Sequence, residues 1–368
     1  MLTHGSRRPL RALQIEVTSR CTRQCAVCPR SVLSNEWRQG DLSREHWNRL
    51  ERDLTIAQHV HLQGWGEPLL HADLPLMANA AKRNGCTVGI TTNGDLLPAA
   101  TDWLVAERVD IVTVSVAGDL RTHARLRGGS HLDRVTEAAA DLAARARSAH
   151  ARLQVQLSYL LTRGNADQLP GVVEKAAEAG VDELFVTHLD CTPTADLLAH
   201  AAFEMPGGPA ILAEHVNRAE AVARRRNVRF RGPPLQPRHP LTCALNPCRM
   251  VFVAWDGRVG PCVNLLLPVR GLVPRCTSGS TRLVPSVCYG HLDETTLAGA
   301  CNSAVSRAFV APFSRRLQAE QEFLSALPSS FGAEALRELD EADHRRSSAL
   351  DGSPLPSACR GCHKASGW

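Results

Sequence analysis

At 368 residues the chain has room for a sizeable core and for two domains, or for one barrel with an appendage. Hydrophobic residues make up 44% and charged residues 21%, which excludes disordered, collagen-like and membrane compositions. The net charge of +5 is spread along the chain and aromatic residues are only 4%, so the basic run Arg224 to Arg226 lacks stacking platforms and nucleic acid is not an expected partner. No stretch approaches the roughly 18 consecutive apolar residues of a membrane span. The N-terminus has no apolar run followed by a cleavage site, so a cytoplasmic protein without a membrane partner is expected.

Apolar, β-branched segments bounded by turn residues predict strands at Leu13 to Val17, Val60 to Leu62, Thr87 to Thr91, Ile111 to Val116, Leu153 to Leu161 and Leu184 to Val186. Helical periodicity marks His46 to Ile56, Leu76 to Arg83, Leu132 to Ser148 and Leu169 to Ala179 between them. Alternation of this kind implies a parallel sheet with helical crossovers, open or curled into a barrel of six β/α units. The pattern breaks at Phe203 to Ala210 and again from Arg224 to Pro240, where Pro, Gly and Arg accumulate. A first domain over 1–200, a linker over 201–240 and a second domain over 241–368 are therefore expected. Beyond the break, Val251 to Ala254 reads as a short strand and Asp256-Gly257 as a hairpin turn. Helical pattern returns over Thr296 to Ala326 and Ala333 to Arg345, ahead of a cysteine-rich tail.

The 13 cysteines need a chemical account, because many fall in short-spaced groups and a reducing compartment disfavours a disulfide framework. Cys21, Cys25 and Cys28 form a CxxxCxxC loop directly after the first predicted strand. Three thiolates at this spacing can converge on one centre. An iron–sulfur cluster with one iron left open, a zinc ion and incidental cysteines all remain readings of the spacing. Loops at the C-terminal ends of barrel strands are where active sites are built, which favours the first.

Taken with the motifs that follow, this loop resembles the radical S-adenosylmethionine (radical SAM) enzymes. The resemblance implies that Cys21, Cys25 and Cys28 hold a [4Fe-4S] cluster whose remaining iron takes S-adenosylmethionine. Gly64-Trp65-Gly66-Glu67-Pro68 after strand two is similar to the family's GGEP motif, with Trp65 in place of a glycine, and is expected to receive the methionine ammonium. Thr92, Asn93 and Gly94 end strand three like the TNG segment, and Ser115 ends strand four where a polar residue meets the cofactor. Leu126-Arg127-Gly128 is similar to the IRG segment, and Asn165 to a polar position after strand five.

The C-terminal third resembles the SPASM and twitch domains, which bind auxiliary iron–sulfur clusters. Cys243, Gly257 and Cys262 match their CxnGx4C signature, Cys359 and Cys362 form a CxxC, and Tyr289 to Glu294 is similar to their GNL segment. The chain expected is thus α/β, a partial (β/α)6 TIM-like barrel carrying a small cysteine-rich α+β SPASM/twitch-type domain. One auxiliary [4Fe-4S] cluster held by Cys243, Cys262, Cys359 and Cys362 is implied, with Cys248 a rival for Cys243. Cys276 and Cys288 match no trusted spacing, and Cys86, Cys191 and Cys301 are expected to pack as small apolar residues.

Radical chemistry implied by the family is reductive cleavage of S-adenosylmethionine to a 5′-deoxyadenosyl radical that abstracts hydrogen from a substrate C–H. A flavodoxin- or ferredoxin-type electron donor is implied with it. Only about a dozen residues precede strand one, so no N-terminal leader-binding domain is expected. Compact single-cluster members of the family include oxidants of amino-sugar and cyclitol alcohols, so the resemblance implies a small polar metabolite undergoing oxidation as the expected substrate. The alternative is a maturase of peptide side chains, and a further one is an electron carrier or zinc module without turnover. His123, His188 and Tyr289 read as structural or surface residues, so no substrate base or hydrogen donor is assigned.

Overall fold

The computed structural model describes residues 8–204, 207–237, 240–277, 279–327 and 333–367. Seven strands run parallel in chain order: β1 (Leu10–Ile15), β2 (Ala57–Leu62), β3 (Thr87–Thr92), β4 (Ile111–Val116), β5 (Gln154–Leu161), β6 (Glu183–His188) and β7 (Arg229–Arg231). Helices α1 (Pro29–Val32), α2 (Arg44–Glu51), α3 (Leu74–Arg83), α4 (Leu97–Ala106), α5 (Leu120–Leu126), α6 (Leu132–Ser148), α7 (Leu169–Glu178), α8 (Ala195–His200) and α9 (Gly208–Arg226) occupy the crossovers. Strand order equal to chain order, with a helical return each time, is the winding of a β/α barrel.

The span 201–240, expected as a linker, instead carries α9 and β7. Strand β7 pairs with β6 through Leu184 and Phe230. Gly208 and Pro209 read as breakers in the sequence, yet Pro in the first turn starts α9 because its missing N–H has no intrahelical partner there. Met205, Pro206, Arg238 and His239 of the expected break lie outside the described residues. The predicted helix over His46 to Ile56 is shorter, ending at Glu51 and passing through a 3-10 turn at Leu54–Ile56 into β2.

The C-terminal region adds to the same sheet. Strand β8 (Met250–Val253) pairs parallel with β1, and β9 (Arg258–Gly260) folds back on it around the Asp256-Gly257 turn, where Gly257 has φ +87°. A hairpin of β10 (Val273–Thr277) and β11 (Ser280–Val284) stands apart, and β12 (Gly290–His291) pairs with β9. The expected helix over Thr296 to Ala326 is two: α10 (Leu297–Cys301) and α11 (Ala304–Ser325), the second started by the Ser303 hydroxyl accepting from the Ser306 N–H. Helix α12 (Ala333–Asp351) precedes the tail.

One apolar core runs through both regions. Val60 and Leu62 of β2 pack with Leu74, Met77 and Ala78 of α3, and the same cluster reaches Val251, Leu297 and Phe313. The alternate residues of β2 and β3 are polar: His59, His61, Thr87 and Thr91 contact one another along the other face of the two strands. The site is built at the C-terminal ends of β1 to β6.

Candidate active site

A cavity of about 410 Å³ opens at this end of the barrel, lined on one side by Cys21, Cys25 and Cys28. The three thiols sit in the loop between β1 and α1, with Cys28 at the helix's N-terminal boundary. All are half-buried. Burial pushes the Cys28 thiol up to about 11, and Cys25 and Cys21 act on it in the same direction, so the three lie within electrostatic reach of one another.

The glycines flanking Trp65 are required by close approach. A Cβ on Gly64 would stand 2.2 Å from Cγ of Glu16, and one on Gly66 would stand 2.2 Å from the Thr18 carbonyl oxygen. The Glu16 carboxylate, fully buried, accepts from the Trp65 N–H at 2.8 Å and fixes this loop to β1. Burial raises the Glu16 carboxyl to about 7 against that hydrogen bond.

Glu67 is buried too, and both its oxygens are engaged. Oε1 accepts from the Thr92 hydroxyl at 2.8 Å and the Leu69 N–H at 3.1 Å, and Oε2 accepts from the Asn93 N–H at 2.7 Å. Desolvation lifts its carboxyl to about 7, partly opposed by these donors. The side chain expected to meet an ammonium group therefore braces the end of β3. Asn93 continues the brace, its amide donating to Thr22 Oγ1 at 2.9 Å and towards Cys21 Sγ at 3.7 Å. Gly94, at φ +90°, lets the chain turn away beneath it.

Of the sequence-predicted residues, Gly64, Gly66, Glu67, Thr92, Asn93 and Ser115 line the cavity together with the cysteine trio. Pro68 does not; it is buried at the start of the turn that follows Glu67. Arg127 lines the cavity, and the Leu126 carbonyl accepts from the Ala26 N–H of the cysteine loop at 3.0 Å. Asn165 lies elsewhere, fully buried and closing its own loop by accepting from the Thr162 N–H at 2.7 Å. His123 accepts from the Ala117 N–H, Tyr289 packs edge-on against Phe309, and His188 lines the cavity with Nε2 2.7 Å from the Pro234 carbonyl.

The opposite wall belongs to the C-terminal region. Leu245, Val263 and Lys364, each within two residues of a cysteine, line the cavity. Cys243, Cys262, Cys359 and Cys362, from three separate segments, come within electrostatic reach of one another. Burial pushes the Cys262 thiol far up, and Cys362, Cys359 and Cys243 all push it further. Burial likewise raises Cys359 to about 12, with Cys362 and Cys243 adding to it. The Cys248 sulfur is 3.6 Å from the Ser314 hydroxyl. Among the described residues no three sulfurs are all within 4.8 Å of one another. Sulfurs around one tetrahedral zinc, at a Zn–S distance of ~2.3 Å, would stand about 3.8 Å apart. Sulfurs as the only ligand type in each set are the donors that iron–sulfur clusters take.

Two features escaped the sequence. Cys191, expected to pack as a small apolar residue, does lie against an apolar cluster, but it also lines the cavity with both Cys28 and Cys362 close enough to act on its buried thiol. Asp190 and Lys364 form an ion pair at 2.5 Å in the same wall. Trp65 explains its own departure from the motif: Nε1 donates to the Val263 carbonyl at 3.2 Å and the ring meets Trp37 edge-on, joining the barrel loop to the segment after Cys262.

Residues 15–175 match the model of the radical SAM superfamily. The chain carries a radical SAM domain. Its cofactors are accordingly a [4Fe-4S] cluster and S-adenosylmethionine. Over 304 residues it is 23% identical to a tungsten-containing aldehyde ferredoxin oxidoreductase cofactor-modifying protein of Pyrococcus furiosus, spanning 78% of this chain and 80% of that one. A PqqA peptide cyclase of Streptomyces rochei is 31% identical over 220 residues, 54% of this chain and 58% of the cyclase. The fold is shared with Streptococcus suis SuiB bound to S-adenosylmethionine, at a TM-score of 0.62 and 16% identity over 82% of this chain and 68% of SuiB. Among the described residues no helix of the chain is long and apolar enough to cross a membrane.

Proposed function

We propose that this radical SAM enzyme modifies a peptide side chain. In this reading Cys21, Cys25 and Cys28 hold the cluster that binds S-adenosylmethionine, and Cys243, Cys262, Cys359 and Cys362 hold an auxiliary [4Fe-4S] cluster in a domain formed by residues 241–368. The observation that carries it is one cavity lined by the first thiol set and by Leu245, Val263 and Lys364, close in sequence to the second, with Cys191 in its lining acted on by both Cys28 and Cys362. When bound, cluster and S-adenosylmethionine supply a radical able to take hydrogen from an unactivated C–H.

The chain's own residues then bind, orient and exclude water. The backbone of Gly64 to Glu67, with Pro68 setting the turn, holds the methionine end of the cofactor. Thr92, Asn93 and Ser115 present polar groups to the rest of it from β3 and β4. Asp190 and Lys364 close the wall between the thiol sets, keeping water from a reactive intermediate. The net change is oxidative, with electrons leaving through a flavodoxin- or ferredoxin-type partner and the cluster being recharged by one.

A peptide substrate is supported by the likeness to the peptide cyclase of Streptomyces rochei, 31% identical over 220 residues. The amino-sugar or cyclitol oxidation expected from the sequence gives way to it. The test is anaerobic incubation of the reconstituted, reduced enzyme with S-adenosylmethionine and a short peptide encoded beside its gene. Formation of 5′-deoxyadenosine with loss of hydrogen from the peptide, read by mass spectrometry, is expected. Hydrogen loss from an amino-cyclitol but from no peptide would overturn the peptide assignment.

A further inference from the structure

Inside the barrel, β2 and β3 place four polar side chains in line. Thr87 Oγ1 is 2.9 Å from His59 Nδ1, His59 Nε2 is 3.3 Å from His61 Nδ1, and His61 Nε2 is 2.9 Å from Thr91 Oγ1. Parallel register sets this line, with His59 opposite Thr87 and His61 opposite Gly89. Thr87 is exposed at the N-terminal end of β3, whereas Thr91 lines the cofactor cavity at the other end. The inward positions of β3 are thus hydroxyl, glycine, hydroxyl.

Gly89 makes the arrangement possible. A Cβ there would stand 2.5 Å from His61 Nδ1 and 3.0 Å from His59 Nε2, in the space where the two imidazoles meet. Both rings are neutral near pH 7. Burial lowers His61 to about 4, helped by the neighbouring His59, and burial lowers His59 as well. A neutral imidazole has one N–H and one bare nitrogen, so a hydrogen-bonded pair of them orders into two matched tautomers. Either both rings donate towards Thr87, or both donate towards Thr91.

We propose that Thr91, His61, His59 and Thr87 form a proton path from the cofactor cavity to the opposite end of the barrel. A proton entering at Thr91 passes to His61 Nε2, the His61 Nδ1 proton passes to His59 Nε2, and the His59 Nδ1 proton leaves through Thr87 to water. One proton enters and one leaves; no electron moves along the path and no bond to carbon changes. Passage leaves both rings in the other neutral tautomer, and a proton passing in the reverse direction, from Thr87 to Thr91, restores the first. Such a path serves a cavity that excludes water, because a substrate radical losing an electron also loses a proton. That purpose rests on the oxidative reading above, whereas the path itself is a property of the chain.

The test needs no substrate. The holoenzyme, with its cluster oxidised and S-adenosylmethionine added, is labelled with ¹⁵N-histidine, and long-range NMR follows the tautomers of His59 and His61 and the exchange of the His61 ring N–H with water. Matched tautomers are expected, together with rapid exchange of His61 although its ring is buried. Thr87→Val at the exposed end, or Gly89→Ala in the middle, slows that exchange about tenfold or more, as when exchange must wait for local opening. Thr91→Val leaves it unchanged, since water is reached at the Thr87 end. Exchange as fast as wild type in both Thr87→Val and Gly89→Ala, or slowed only in Thr91→Val, would overturn the path. Should Gly89→Ala not fold, Thr87→Val carries the test on its own. The same samples, reduced and assayed for 5′-deoxyadenosine, report separately on the radical chemistry, so failure of one reading does not mimic failure of the other.

Discussion

The two thiol sets differ in how the chain brings them together. Cys21, Cys25 and Cys28 lie on a single loop whose shape is fixed by contacts to β2 and β3, chiefly Asn93 with Thr22 and the Glu67 N–H with the Arg20 carbonyl. Cys243, Cys262, Cys359 and Cys362 come from segments separated by two strand pairs and two long helices. The first set is a local motif placed by the barrel. The second is a tertiary product, and the ion pair of Lys364 with Asp190 is one of the contacts that tie the tail to the segment after β6. A local set should therefore fail only when its own residues change, and an assembled set should also fail when its supports do.

The sharpest break between the two is substitution of the trio. Cys21→Ala, Cys25→Ala and Cys28→Ala together should abolish 5′-deoxyadenosine formation while leaving the C-terminal iron in place, read by product and iron assay. Next in size, Cys359→Ala or Cys362→Ala should remove the auxiliary iron and substrate turnover yet spare 5′-deoxyadenosine formation in the absence of substrate.

Trp65→Phe probes the join. It deletes the Nε1–H donor to the Val263 carbonyl but keeps the ring against Trp37. Loss of about 1–2 kcal/mol in unfolding free energy is expected, with the cost falling on retention of the auxiliary cluster more than on the first.

Glu16→Gln reads the barrel side through pH. The folded-state pKa of about 7 lies above the ordinary 4.5, so the native state holds the proton more tightly than the unfolded one. The stability contributed by the neutral carboxyl is present below pH 4.5 and falls as pH rises to about 7. For the apo-protein, thermal unfolding across that window should show a decline worth about 1–3 kcal/mol that flattens in the Gln variant. Smallest of all, Cys248→Ala should leave both iron content and activity unchanged, since its sulfur meets Ser314 and not the quartet.

Legibility in the sequence follows the same division. Strands β1 to β6 and the helices with a clear apolar stripe were readable because burial on one face imposes a period. The CxxxCxxC loop and the motifs after β2 and β3 were readable because each is contiguous. Strand β7 was not, since Arg229 to Arg231 offer one apolar residue and draw their place from pairing with β6. Helix α9 was hidden behind Gly208-Pro209, where the same two residues can end a domain or begin a helix. Cys243 and Cys248, five residues apart, had no local signature to separate them; in the fold Cys243 is among the thiols acting on Cys262 and Cys359, and Cys248 meets Ser314. Cys191 and the line of His59 and His61 were invisible for a related reason, because nothing in a strand's alternation distinguishes an inward histidine that packs from one that connects.

The most direct test of the account is Mössbauer spectroscopy with iron and sulfide analysis on anaerobically reconstituted wild type, on the trio variant and on a Cys243/Cys262/Cys359/Cys362→Ala variant. Two [4Fe-4S] clusters in the wild type are predicted, one remaining in each variant, with only the cluster of the quartet variant changing its spectrum when S-adenosylmethionine is added. A single cluster in the wild type, or a quartet variant that keeps all of its iron, would contradict it.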